Sequence, residues 1–146
     1  MTSIRPLTPD DRDDWRGLWD GYLTFYESDV PEHVTETTFR RIVEDREVHG
    51  VIARDDTGRA IGLVHWLTHA STWSDTDYCY LEDLFVAPDV RGGGVGRALI
   101  AHVTDWARSN GSSKVYWLTQ EGNATARRLY DAVATNSGFT HYEIDL

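Results

Sequence analysis

The chain has 146 residues and a net charge of -10, from 24 Asp and Glu against 14 Lys and Arg, a length that suits one domain around one core. Such a charge repels polyanions, so nucleic acid is excluded as a partner and cationic partners are favoured. A single cysteine, Cys79, rules out an internal disulfide framework, and no run reaches the roughly 18 apolar residues of a membrane span or follows a signal-peptide pattern. The expectation is a soluble, unprocessed, cytoplasmic protein with no membrane contact.

In chain order, "SIRPL" suggests a first strand. "TPDDRDDW" then opens a helix, with Thr8 as cap, Pro9 in the first turn and acids at the positive end of the dipole. Trp15, Leu18, Trp19, Tyr22, Leu23 and Tyr26 recur at helical spacing and predict one apolar face. Pro31 breaks that pattern, and a second helix is expected from a capping Thr35 through Phe39, Ile42 and Val43. "HGVIARDDTGRAIGLVHWLTHA" has the form of a hairpin turning at Gly58, and "DYCYLEDLFV" is the next strand. Val95, Leu99, Val103 and Trp106 mark a helix that Gly111 stops. "KVYWLT", "NATARRLYDAV" and "FTHYEIDL" follow as strand, helix and strand. The order β-αα-βββ-α-β-α-β predicts an α/β fold with a central mixed sheet and helices on both faces, all in a single domain over 1–146.

The stretch "LEDLFVAPDVRGGGVGRALI" joins the fourth predicted strand to a helix through Gly92, Gly93, Gly94 and Gly96. Glycines at a helix start expose several backbone N–H groups at the positive end of its dipole, which makes an anion site for phosphates. Arg91 and Arg97 add positive charge there. The pattern lacks the Gly-Lys-Ser/Thr of a Walker loop and comes too late in the chain for a dinucleotide fold. Downstream, Asn123 and Tyr130 are seven residues apart, about 10 Å along one face of a helix.

This combination resembles the acetyl-CoA-binding core of the GCN5-related N-acetyltransferase (GNAT) superfamily. "YLEDLFV" is similar to the spermidine/spermine acetyltransferases, and "VYWLTQEGNATARRLY" to a fungal histone and polyamine acetyltransferase branch. The resemblance implies acetyl-CoA as donor and no metal. It implies that Leu84, Phe85 and Val86 line the pantetheine arm, with the Val86 amide near the thioester. Arg91, Gly92, Gly93, Gly94, Val95, Gly96 and Arg97 would contact the pyrophosphate of coenzyme A. Asn123 would hold the CoA arm, and Tyr130 would touch the cofactor and protonate the departing thiolate. One departure is present: Ala134 stands where many members have Gly, and Gly138-Phe139 come four places late.

An amine must be neutral to attack a thioester, whereas an aliphatic amine has a pKa near 10.4. A base or a water relay must therefore take its proton. Alternation along the strand puts Glu82, Leu84 and Val86 on one face and Leu81, Asp83 and Phe85 on the other. Glu82 is the first candidate base, with Asp83 or His65 in reserve. Tyr22, Phe25 and Tyr26 beside Glu27 and Asp29, together with Glu82 and Asp83, combine rings and carboxylates that suit a cationic amine. The expected acceptor is a small polyamine-like molecule or the lysine of a basic peptide, and a homodimer is possible. The alternatives are a non-catalytic acyl-CoA-binding regulatory module, or an N-acetyltransferase for an unrelated small amine such as an amino acid or antibiotic.

Overall fold

The computed structural model describes residues 1–146, in two compact units, Met1–Tyr116 and Trp117–Leu146. In the first, β1 (Ser3–Pro6) leads through a 3-10 turn to α1 (Arg12–Phe25) and α2 (Glu32–Glu44). Strands β2 (Val48–Arg54), β3 (Ala60–His69) and β4 (Tyr78–Val86), helix α3 (Val95–Ser109) and strand β5 (Lys114–Tyr116) complete it. The second unit holds α4 (Ala124–Val133). The sheet order is β1-β2-β3-β4-β5, antiparallel as far as β4 and parallel between β4 and β5.

Alternation along β3 separates two packing faces. Leu63 belongs to the core cluster of Leu7, Trp15, Leu18, Trp19, Phe39, Ile42, Ile52 and Phe85, which seats α1 and α2, and His65 bonds to Trp15 on that side. Gly62 and Trp66 point the other way, where a Cβ on Gly62 would lie 3.2 Å from Leu99 and the Trp66 and Trp106 rings meet at 5.4 Å. Helices therefore cover both faces of a mixed sheet, as the hydrophobic pattern predicts. Each fully buried large apolar side chain in these layers contributes about 1.5–3 kcal/mol.

Several boundaries differ from the sequence reading. Helix α2 starts at Glu32 behind Pro31, so Thr35 is internal rather than a cap; its buried hydroxyl accepts from Trp19 Nε1 at 3.1 Å. Strand β5 is three residues long, not six. The last expected strand does not form: residues 135–146 are irregular, with Phe139, Tyr142, Ile144 and Leu146 exposed. Alternation is only a pattern until a neighbouring strand supplies a ladder, and that tail has none.

Candidate active site

Strand β4 carries the decisive departure from regularity. Its register with β3 pairs Val64 with Leu84 and His65 with Asp83, then jumps to Trp66 with Leu81. Glu82 is thus an extra, bulged residue, and a bulge re-aims side chains and breaks the two-residue alternation. Asp83 and Phe85 sit opposite His65 and Leu63 on the α1 face, whereas Leu81, Leu84 and Val86 pair with Trp66, Val64 and Gly62 on the α3 face. The electrostatic neighbours of Glu82 are Asp83 and His65, with Tyr22 and Tyr80 also feeling its charge. The expected two-residue alternation of Glu82 and Asp83 is therefore corrected: the bulge breaks it, and the charges of both carboxylates act on Tyr22 and Tyr80.

Glu82 is exposed to solvent, yet enough protein surrounds it for desolvation to push its carboxyl above the ordinary range. The charge of Asp83 adds to that rise. Desolvation also raises the Tyr22 phenol, helped by the charge of Asp83 and a hydrogen bond to it. Tyr26 is raised by burial and then by Asp83. Both phenols therefore stay protonated donors. Helix α1 brings them in because Gly21 lets it approach β4 closely: a Cβ there would fall 2.9 Å from the Phe85 ring. The Tyr22 and Phe85 rings then meet edge to face at 6.4 Å, and Tyr22 lies 5.0 Å from Tyr26.

Of the other expected acceptor residues, Glu27 and Asp29 are exposed in the α1–α2 turn and their carboxylates make no ion pair or hydrogen bond there. Glu27 adopts a left-handed φ of 52°. Phe25 lies under the Arg91 guanidinium at 5.2 Å, and Phe85 faces the same cation at 5.5 Å. Sequence reasoning missed Trp15, whose indole donates to His65 Nε2 at 3.0 Å. Its helical spacing gave only a core signal.

At the far end of β4 the sheet opens. The β4–β5 ladder stops at Tyr80 and Tyr116, while β4 continues six residues further to Val86. Ala87 N–H is bonded to Ile61 C=O at 2.8 Å, so alternation turns the backbone groups of Val86 to the opposite, open edge. There Val86 C=O accepts from Arg91 Nε at 3.0 Å. The chain then passes Gly92 and Gly94, both at φ 87°, a left-handed conformation in which other residues are strained. Gly93 has its own constraint, since a Cβ would sit 3.3 Å from Val90 C=O. Val95, buried, begins α3, with Gly96 and Arg97 in its first turn.

In the second unit, Asn123 caps α4 by accepting from the Ala126 N–H at 3.4 Å. The Tyr130 ring meets Trp117 edge to face at 5.4 Å. Helix α4 ends at Val133 with Ala134 extended, where the sequence departs from the usual Gly.

A mixed sheet with helices on both faces, a strand edge opened halfway and a glycine turn feeding a helix define an acyl-CoA N-acyltransferase architecture. The chain matches the Acetyltransferase (GNAT) family over residues 14–134, and it belongs to that family. It is 37% identical over 133 residues to the D-amino-acid N-acetyltransferase HPA3 of Saccharomyces cerevisiae, covering 90% of this chain and 83% of the yeast protein. It is 32% identical over 99 residues to a thialysine N-epsilon-acetyltransferase of Caenorhabditis elegans, covering 68% of this chain and 61% of that one. The aminoglycoside N-acetyltransferase AAC(6')-Iy, solved with a bisubstrate analogue, shares the fold at a TM-score of 0.86 and 22% identity, covering 100% of this chain and 99% of that one. The protein is an acyltransferase that moves an acetyl group from acetyl-CoA to an amine.

Proposed function

We propose that the acceptor is a small molecule or peptide bearing an ammonium group, held by Asp83, Tyr22 and Tyr26 and deprotonated by Glu82. The observation that supports this reading is the bulge at Glu82, beside which the charges of Asp83 and Glu82 both act on the Tyr22 phenol, in a protein of net charge -10. Carboxylates and ring faces attract a cation, and a raised carboxyl is a better base than an ordinary one. Glu82, directly or through a water, takes the proton; the amine nitrogen then attacks the thioester carbon, the C–S bond breaks, the thiolate leaves and the nitrogen gives its remaining extra proton to water as the amide forms. Tyr130 supplies the thiolate's proton, a role resting on its place in the family motif. Leu84 to Val86 along the open edge bind the pantetheine, and Arg91 to Arg97 the pyrophosphate, with Asn123 on the CoA arm.

We read the two units as parts of one N-acetyltransferase domain, a reading supported by the family match running through both. A cytoplasmic setting fits the single buried Cys79, and no helix is long and apolar enough to cross a membrane. Homodimerisation belongs to the same reading, supported by the exposed apolar side chains of the tail.

The yeast relative favours a second reading, an amino acid as acceptor. On that reading the acceptor's own carboxylate would be repelled by Glu82 and Asp83, and only its ammonium end would be attracted to them. Thiol release from acetyl-CoA, measured against spermidine, thialysine, a lysine-bearing basic peptide and D-amino acids, separates the two. Turnover with the first three supports the carboxylate-lined reading, and turnover with D-amino acids alone supports the second. CoA binding without thiol release from any of them would leave only a regulatory module.

A further inference from the structure

His65 is 1% exposed, and both ring nitrogens are engaged. Trp15 Nε1 lies 3.0 Å from His65 Nε2, and His65 Nδ1 lies 2.8 Å from Asp83 Oδ2. An indole N–H can only donate, so Nε2 is the acceptor and the hydrogen sits on Nδ1, which donates to the carboxylate. The Trp15 and His65 rings are 6.0 Å apart, and Trp19 packs on the same imidazole at 5.6 Å. The ring is therefore walled in by helix α1 and cannot turn over without breaking both bonds. Asp83 itself is 13% exposed at its side chain, and its charge also acts on the Tyr22 phenol.

We propose that His65 is a positioning residue: Trp15 fixes its tautomer, and its Nδ1–H fixes the Asp83 carboxylate as the anchor for the acceptor's ammonium, leaving proton removal to Glu82. This rests on the acceptor reading above. It also takes His65 out of the reserve as a base, because its one lone pair in the ring plane is occupied by the indole. Burial alone requires partners for both ring nitrogens; what points beyond packing is that one partner is the Asp83 carboxylate, on the strand that carries Glu82.

Two measurements test it. In the imidazole nitrogen spectrum of the wild-type chain at pH 7, His65 is expected to carry hydrogen on Nδ1 and none on Nε2; hydrogen on Nε2 overturns the proposal. With acetyl-CoA and spermidine as the probe pair, His65→Leu is expected to raise the KM for spermidine about tenfold while the KM for acetyl-CoA holds within about twofold. His65→Asn, whose amide offers both a donor and an acceptor, is expected to restore most of the loss. Melting temperatures of both variants separate fold damage from positioning. Equal changes in the two Michaelis constants, no change in either, or no difference between Leu and Asn overturns the proposal. If none of the amines is acetylated, the acceptor reading fails by itself, and the nitrogen spectrum alone then upholds or overturns the fixed ring.

Discussion

Glu82 and Asp83 are neighbours of like charge, and on the proposed reading they divide the work between them. Desolvation and the Asp83 charge raise the Glu82 carboxyl, so a base at this position is lost at higher pH than an ordinary glutamate, which titrates near pH 4.3. The base works unprotonated, hence kcat should fall as pH drops through the raised value. Glu82→Gln should remove that acid limb and lower kcat about 100-fold or more at neutral pH, leaving the KM for acetyl-CoA unchanged. The pH–rate profiles of the two proteins check this. Tyr130→Phe tests the other proton: kcat should fall about tenfold or more with little change in the acceptor's KM, and full turnover would remove Tyr130 from the acid role. The residue types were legible in "YLEDLFV", but the face of Glu82 was not. Alternation assumes an unbroken strand, and no local signal announces a bulge between His65 and Trp66. The bond from Trp15 to His65 was equally invisible, because it spans 50 positions and depends on how α1 settles on the sheet.

Among the elements, the turn from β4 to α3 shows how backbone conformation separates glycines of different purpose. Gly94 caps α3 at φ 87°, where a side chain costs about 1–2 kcal/mol. Gly17 lies inside α1 with open space around its Cβ position, so Gly17→Ala should stabilise by about 0.5–1 kcal/mol. Gly94→Ala should instead lower the unfolding midpoint and raise the KM for acetyl-CoA about tenfold, with the acceptor's KM unaffected. Denaturant titrations and the two Michaelis constants decide it. Elements with strong periodicity were legible: α1, the β2–β3 hairpin around Gly58, α3 and α4 all fall within a few residues of their sequence limits. Those that depend on partners were not. Strand β5 stops at Tyr116, and "FTHYEIDL" keeps its alternation without becoming a strand. Ala134 in place of the usual Gly was the one warning the sequence held at that end.

Across the molecule, 24 acidic residues give a field that extends well beyond the carboxylates of β4. Glu27 and Asp29, exposed in their turn, belong to that field. Salt shortens its reach to about 10 Å at 0.1 M. Accordingly kcat/KM for spermidine should fall steeply as ionic strength rises, whereas that for a singly charged amine should fall only slightly; equal salt dependence for both would remove charge steering from the account. Net charge was fully legible in the sequence, and the favoured sign of the partner with it. The opened edge of β4 carries a different consequence. An uncovered strand edge is a template on which other chains can add, the usual first step of disordered self-association. On the proposed cofactor mode, the pantetheine arm occupies that edge with every catalytic cycle. Acetyl-CoA at 100 times its Kd would add about 2.7 kcal/mol to the folded state. The acetyl donor then also acts as a guard against aggregation, and the protein's solubility would follow the metabolic supply of its own substrate.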